Sequence, residues 1–149
     1  MAVGAKVAIQ TIPGYLPLVQ DQRLAEVFRA NASTLVGTEN VGKVGHRTGS
    51  TDMGDVSHLM PAIHPYVGGA TGLGHGANYV VEDYHLAVVT AAKALAATVV
   101  DLLADGATQG SSIIAGHRPE MTSREYLEFM RGLAKDETFD GGSVGSYVN

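Results

Sequence analysis

Residues 49–85 read "GSTDMGDVSHLMPAIHPYVGGATGLGHGANYVVEDYH" and gather Asp52, Asp55, His58, His64, His75 and His85 among glycines. Histidine imidazoles and carboxylates are the protein ligands of hard and borderline divalent metals, so such a run suits metal-assisted hydrolysis. The chain has no cysteine. Disulfides, thiolate metal sites and a cysteine nucleophile are therefore excluded. Any metal must be held by nitrogen and oxygen.

His75 stands out. It lies in the glycine cluster "GGATGLGHG", a few residues before a long apolar helix. Glycines there let the backbone approach a ligand closely. A loop at the end of a sheet is also where α/β folds keep their sites. Asp52 and Asp55 fit a simpler role as well, capping or charging the start of a short helix over 53–59. His58 and His64 fit core-edge histidines satisfied by backbone. His46, His85 and His117 carry no supporting pattern. "GTENVGKV", residues 37–44, has the glycine and lysine spacing of a phosphate loop. Val44 replaces the hydroxyl that would hold magnesium, and the stretch follows a helix where a strand is required.

The elements that must position these residues follow from periodicity. Residues 3–12 alternate as a strand, and Pro13, Gly14 and Pro17 interrupt it. Asp21 caps a helix to about Val36, with Leu24, Val27, Phe28 and Leu35 on one face and Gly37 as its stop. A short strand is expected near 41–44, and a buried strand over "AIHPYVGG" despite Pro65. From Glu82 to Ala104 the pattern is one long helix ended by Gly106. With Lys93 and Asp101 as its only central charges, it is expected to be buried on most sides, Leu95, Val99 and Leu102 included. "ATQGSSIIAGHRP" reads as a loop. Thr122 or Ser123 caps a short helix to about Ala134, and the tail "DETFDGGSVGSYVN" shows no period.

The chain has 149 residues, 45% hydrophobic and 17% charged, with a formal net charge of -5. That is a globular composition of about one domain. The charge argues against a nucleic-acid partner, which needs a basic face. No signal-peptide pattern and no charge-free apolar run of about 18 residues is evident, so the expectation is a cytoplasmic protein with no membrane contact.

The ordered motifs "GYLPL..D..L", "GSTDMGDVSHLMPAIHPYVGG", "HGANY" and the alanine-rich helix ending "DLL" resemble the C-terminal part of the M20 metallopeptidase and amidohydrolase family. The nearest branches are the aminobenzoyl-glutamate hydrolase-like and aminoacylase-like enzymes. The resemblance covers most of residues 7–107. It implies an α/β fold: a partial mixed sheet packed with helices, like the C-terminal part of a zinc-peptidase catalytic domain. Residues 1–12 would be the end of the lid domain or the return from it, 13–107 the catalytic-domain segment, and 108–149 a loop, short helix and tail.

The implied reaction is metal-dependent hydrolysis of an amide bond in a small N-acyl amino acid or dipeptide-like substrate, with zinc or another divalent metal as cofactor. His75 matches the family's last metal ligand, with Tyr79 at the aromatic position of "H-x-x-x-[YF]". Thr51, Asp52, Asp55, His58 and His64 become cleft or substrate-side candidates. The chain holds no "HxD" and no "EE" pair, the family's other ligands and general base. One histidine does not build a zinc site that needs about three protein ligands. The implied partner is a missing N-terminal half or further copies of the chain. The alternative is a non-catalytic binding or assembly module that keeps part of the scaffold.

Overall fold

A computed structural model describes residues 5–42 and 50–141. The phosphate-loop-like Lys43 and Val44, His46 and the last eight residues lie outside them. The chain combines helices with two small antiparallel sheets and divides into two units, 16–120 and the pair of end segments 1–15 and 121–149.

The end unit is built from both ends of the chain. Strand β1 (Lys6–Thr11) pairs antiparallel with the strand Lys135–Asp140, in a register running from Lys6↔Asp140 to Thr11↔Lys135. The latter strand was not expected, because "KDETFD" is too charged to look like one. It is half of an exposed ribbon, where no buried face imposes alternation. Lys6 Nζ and Asp140 Oδ2 lie 3.0 Å apart, an exposed pair worth about 0–1 kcal/mol. Just before this strand, a helix spans Ser123–Leu133 as anticipated. Thr122 Oγ1 accepts from the Glu125 amide and Glu125 Oε2 accepts from the Thr122 amide, a complete capping box.

In the larger unit, α1 (Gln22–Val36) begins at Asp21, whose carboxylate accepts from the Leu24 amide, and stops at Gly37 with φ 85°. A 3-10 turn, Thr38–Asn40, follows. Val41 and Gly42 form no strand, so the described part of the expected 41–44 strand is not there. Helix α2 spans Met53–Leu59. "AIHPYVGG" is irregular rather than a buried strand, and only Ala70–Thr71 (β2) pairs, with Val80–Val81 (β3). Pro65 removes a ladder donor there, and Gly68 and Gly69 supply no side chain to pack.

A π-helical turn, His85–Thr90, runs into α3 (Ala91–Gly116). Asp83 Oδ1 accepts from the Leu86 amide at its start. Residues 104–107 leave the helix, and Asp105, Gly106 and Ala107 all take left-handed φ. Gly106 thus does end the first arm. "TQGSSIIAG", expected as loop, is a second helical arm. Gly110 permits the reversal, because a Cβ there would sit 2.9 Å from the Leu102 carbonyl oxygen.

The core lies where α1, the two arms of α3 and the end of α2 meet: Val27, Ala62, Ala94, Thr98 and Ile113 are buried. Asn31 Nδ2 donates to Asp101 Oδ2 at 2.6 Å across the α1–α3 contact. The expectation that α3 is buried on most sides is overturned. Its small face, Ala94 and Thr98, is covered, while Leu95 and Val99 are 51% and 52% exposed, Leu102 is half-buried, and Val100 and Leu103 are exposed. Alanine periodicity predicts close approach on one side and says nothing of what covers the others. By length and composition His85–Gly116 could cross a membrane, yet it holds Lys93 and Asp101, reverses at 104–107 and packs one side on α1.

Two outcomes follow. Leu95→Ala in the isolated chain should cost less than the about 2–5 kcal/mol of a buried leucine, read from urea midpoints. At the α4 helix (Ser123–Leu133), hydrogen bonds from Thr122 hold the Glu125 carboxyl below its ordinary range. A lowered folded pKa means stabilisation present at neutral pH and lost as pH falls through that lowered value. Thr122→Ala should cost about 1 kcal/mol at neutral pH. Glu125→Gln should remove the acid-dependent part of the loss, read by hydrogen exchange of the 123–126 amides.

Candidate functional site

The sequence "STDMGDVSHL" folds as two loop residues, a cap position and α2. The hydroxyl of Thr51 accepts from the Met53 amide at 3.4 Å and donates to Asp52 Oδ1 at 3.1 Å. Asp52 occupies the N-cap position in helical conformation, and its side chain makes no capping bond. The expected Asp52 cap is therefore replaced by Thr51, since a helical ψ turns the Asp52 carboxylate away from the first-turn amides.

The inward face of α2 grips the chain segment 16–20. Asp55 Oδ1 accepts from the Leu16 amide at 2.8 Å. Ser57 Oγ accepts from the Val19 amide at 3.0 Å and donates to the Gly54 carbonyl at 2.6 Å. His58 Nε2 lies 2.9 Å from the Pro17 carbonyl oxygen. Gly54 is the one position where a side chain would overlap the Leu16 carbonyl. The grip continues past the helix, with the Asp21 amide donating to Ala62 O at 3.0 Å and the His64 amide to Gln20 Oε1 at 3.0 Å. Segment 16–20 is too irregular to satisfy its own backbone, so α2 side chains do it.

His58 is 7% exposed. A carbonyl oxygen only accepts, so Nε2 carries a proton. On the other side of the ring Nδ1 lies 3.0 Å from Glu120 Oε2, within ion-pair distance but bent away from hydrogen-bond alignment. His117, which the sequence did not single out, behaves similarly: Nδ1 is 3.7 Å from Asp21 Oδ2, which is itself 3.7 Å from the Arg23 guanidinium. Arg23 donates to the Ser112 and Ile113 carbonyls at the end of α3. His64 stacks on Tyr66, ring centroids 5.4 Å apart. It borders a cavity of about 650 Å³ whose walls include Phe28, Arg29, Val67 and Leu95.

His75 is elsewhere. The β2–β3 hairpin projects the loop 72–79, closed by bonds from the Gly76 amide to Leu73 O and from the Tyr79 amide to Gly76 O. Gly72 at φ 85° and His75 at φ 63° take the left-handed turns. The His75 side chain is exposed, and no hydrogen bond or ion pair ties it to Asp52 or Asp55. Tyr79 is 55% exposed. The structure thus brings Asp55 and His58 onto one helix, and leaves His75 apart at a hairpin tip. Among the described residues no three His, Asp or Glu side chains converge as a metal ion requires. The described residues do not by themselves fit a zinc site.

Comparison with protein-family models, with curated proteins and with solved structures finds no match in any of the three.

The site predicts an asymmetry in stability. Ser57→Ala strands the Val19 amide and should cost about 1–3 kcal/mol. His75→Ala changes an exposed loop side chain and should stay within about 0.5 kcal/mol of the parent. Urea denaturation of the two variants reads both.

Proposed function

We propose that the chain is part of a metal-dependent amidohydrolase that cleaves an amide bond in a small N-acyl amino acid or dipeptide-like substrate, and that it is incomplete as a catalyst alone. The reading rests on the M20-like motifs in order along residues 7–107. One observation supports it physically: the apolar face of the first arm of α3 around Leu95, Val99 and Leu103 is exposed. A surface of that kind seeks a partner. In this reading His75 is the one metal ligand the chain brings, held out on its hairpin, with Thr51 and Asp52 beside the substrate. The remaining ligands and the base come from a second polypeptide. A cytoplasmic location is part of the same proposal.

A second reading, a non-catalytic assembly module, is favoured by the fate of Asp55 and His58, which hold backbone and a carboxylate rather than facing open space.

The purified chain with zinc should not turn over N-acetyl amino acids or dipeptides. Co-expression with an M20-type N-terminal half carrying "HxD" and "EE" should restore hydrolysis, and His75→Ala should abolish it, since losing a zinc ligand removes the activated water. Restored activity untouched by His75→Ala overturns the ligand assignment. Without the second half, light scattering should show self-association that Leu95→Glu with Val99→Glu reduces. A monomer at micromolar concentration would sink the idea that this face is an interface.

A further inference from the structure

The cavity beside His64 lies wholly within residues 16–120, between α1, the π-turn leading into α3 and the chain at 63–68. Its volume of about 650 Å³ is that of a small-molecule pocket. Phe28, Ile63 and Leu86 give it apolar walls. The His64 and Tyr66 rings, 4° from parallel, add a flat aromatic one.

Its charge is unlike that of the chain. The protein carries 15 acidic residues against 10 lysines and arginines. Among the described residues no Asp or Glu lines this cavity, and its one permanent charge is Arg29. On the other side of α1 a groove of about 690 Å³ is lined by Glu26, Asp101 and Asp105. An anion is therefore drawn to the first of these spaces and repelled from the second.

Arg29 is half-buried and makes no hydrogen bond or ion pair with a described residue. The other arginine of α1, Arg23, is engaged, donating to the Ser112 and Ile113 carbonyls. A guanidinium partly withdrawn from water without a counter-charge is costly, and a bound anion offsets that cost. Its planar fork of donors matches a carboxylate in bidentate fashion. Gln20 offers a second donor, since its Oε1 accepts from the His64 amide and its amide N–H groups are unused among the described residues. One cation suits one negative charge. A dianionic phosphate monoester would leave half its charge unmatched.

We propose that this cavity binds a small-molecule monocarboxylate with a bulky apolar or aromatic body, its carboxylate on Arg29 and its body against Phe28, Ile63 and Leu86. His75, Thr51 and Asp52 do not line the cavity. No metal and no second polypeptide enters the argument, so the inference stands apart from the hydrolase reading.

The chain has no tryptophan, so the fluorescence of naphthalene-2-acetate reports its binding directly. This probe should bind the purified chain saturably without metal. Naphthalene-2-acetamide, of the same shape but uncharged, should bind about tenfold or more weakly, as loss of a charge-assisted pair implies. Arg29→Gln should lower the acid to the amide's affinity and leave the amide's own affinity unchanged, a split that general loosening of the fold would not produce. Arg131→Gln, an exposed position on the helix Ser123–Leu133, should change neither. Equal affinity for acid and amide in the parent, or an Arg29→Gln variant that still prefers the acid, overturns the carboxylate assignment. Absence of saturable binding by either probe overturns the site. Affinity for the acid that falls as the chain concentration is raised means that a second copy fills the cavity, and overturns it as well.

Discussion

Most of the larger unit depends on backbone groups of segment 16–21 that cannot pair with one another. The segment carries Pro17 and enters from a Pro-Gly interruption, so neither helix nor sheet is open to it. Its amides at Leu16 and Val19 and its carbonyl at Pro17 are met by Asp55, Ser57 and His58. Its last amide, at Asp21, finds Ala62 just past α2. Only then is Asp21 in place to cap α1, and α1 packs on α3, where Val27, Ala94 and Thr98 are buried. One polar face of a short helix thus orients an otherwise apolar arrangement.

This explains why chemistry-bearing residue types crowd into residues 51–64. A carboxylate, a hydroxyl and an imidazole at successive inward positions are good catalytic equipment, and they are equally good partners for stranded backbone groups. Sequence cannot separate these uses, because both call for short polar side chains at helix-turn spacing. What separates them is whether the acceptor or donor they face belongs to the chain. For Asp55 and His58 it does. His75, on its own hairpin, faces no such group, and it is the residue that the family resemblance assigns to metal.

Local signals were legible where one residue decides the backbone. Asp21 and Gly37 bound α1, and Thr122 with Glu125 starts the α4 helix, because capping is a contact within one turn of chain. The 53–59 helix was legible for the same reason, although Thr51 rather than Asp52 serves its first turn. Long-range features were not. "KDETFD" is a strand only because β1 lies beside it, and the second arm of α3 exists only because Gly110 can meet Leu102. The coverage of Leu95 and Val99 was misread because an apolar run reveals what a helix avoids, and its neighbours are a matter of tertiary structure.

The pairing of β1 with the Lys135–Asp140 strand has a consequence for the order of events at synthesis. Its partners are nearly the whole chain apart. Closing so large a loop adds little entropy beyond a moderate one, since the penalty grows only logarithmically. The delay is kinetic: β1 emerges first and must wait through roughly ten seconds of translation for its mate. During that interval Val7 and Ile9 lie on an unpaired edge, the kind of surface that invites pairing with a neighbouring nascent chain. Lys6 at the head of the strand gives that waiting edge a charge that discourages such encounters, and later meets Asp140 when the ribbon closes.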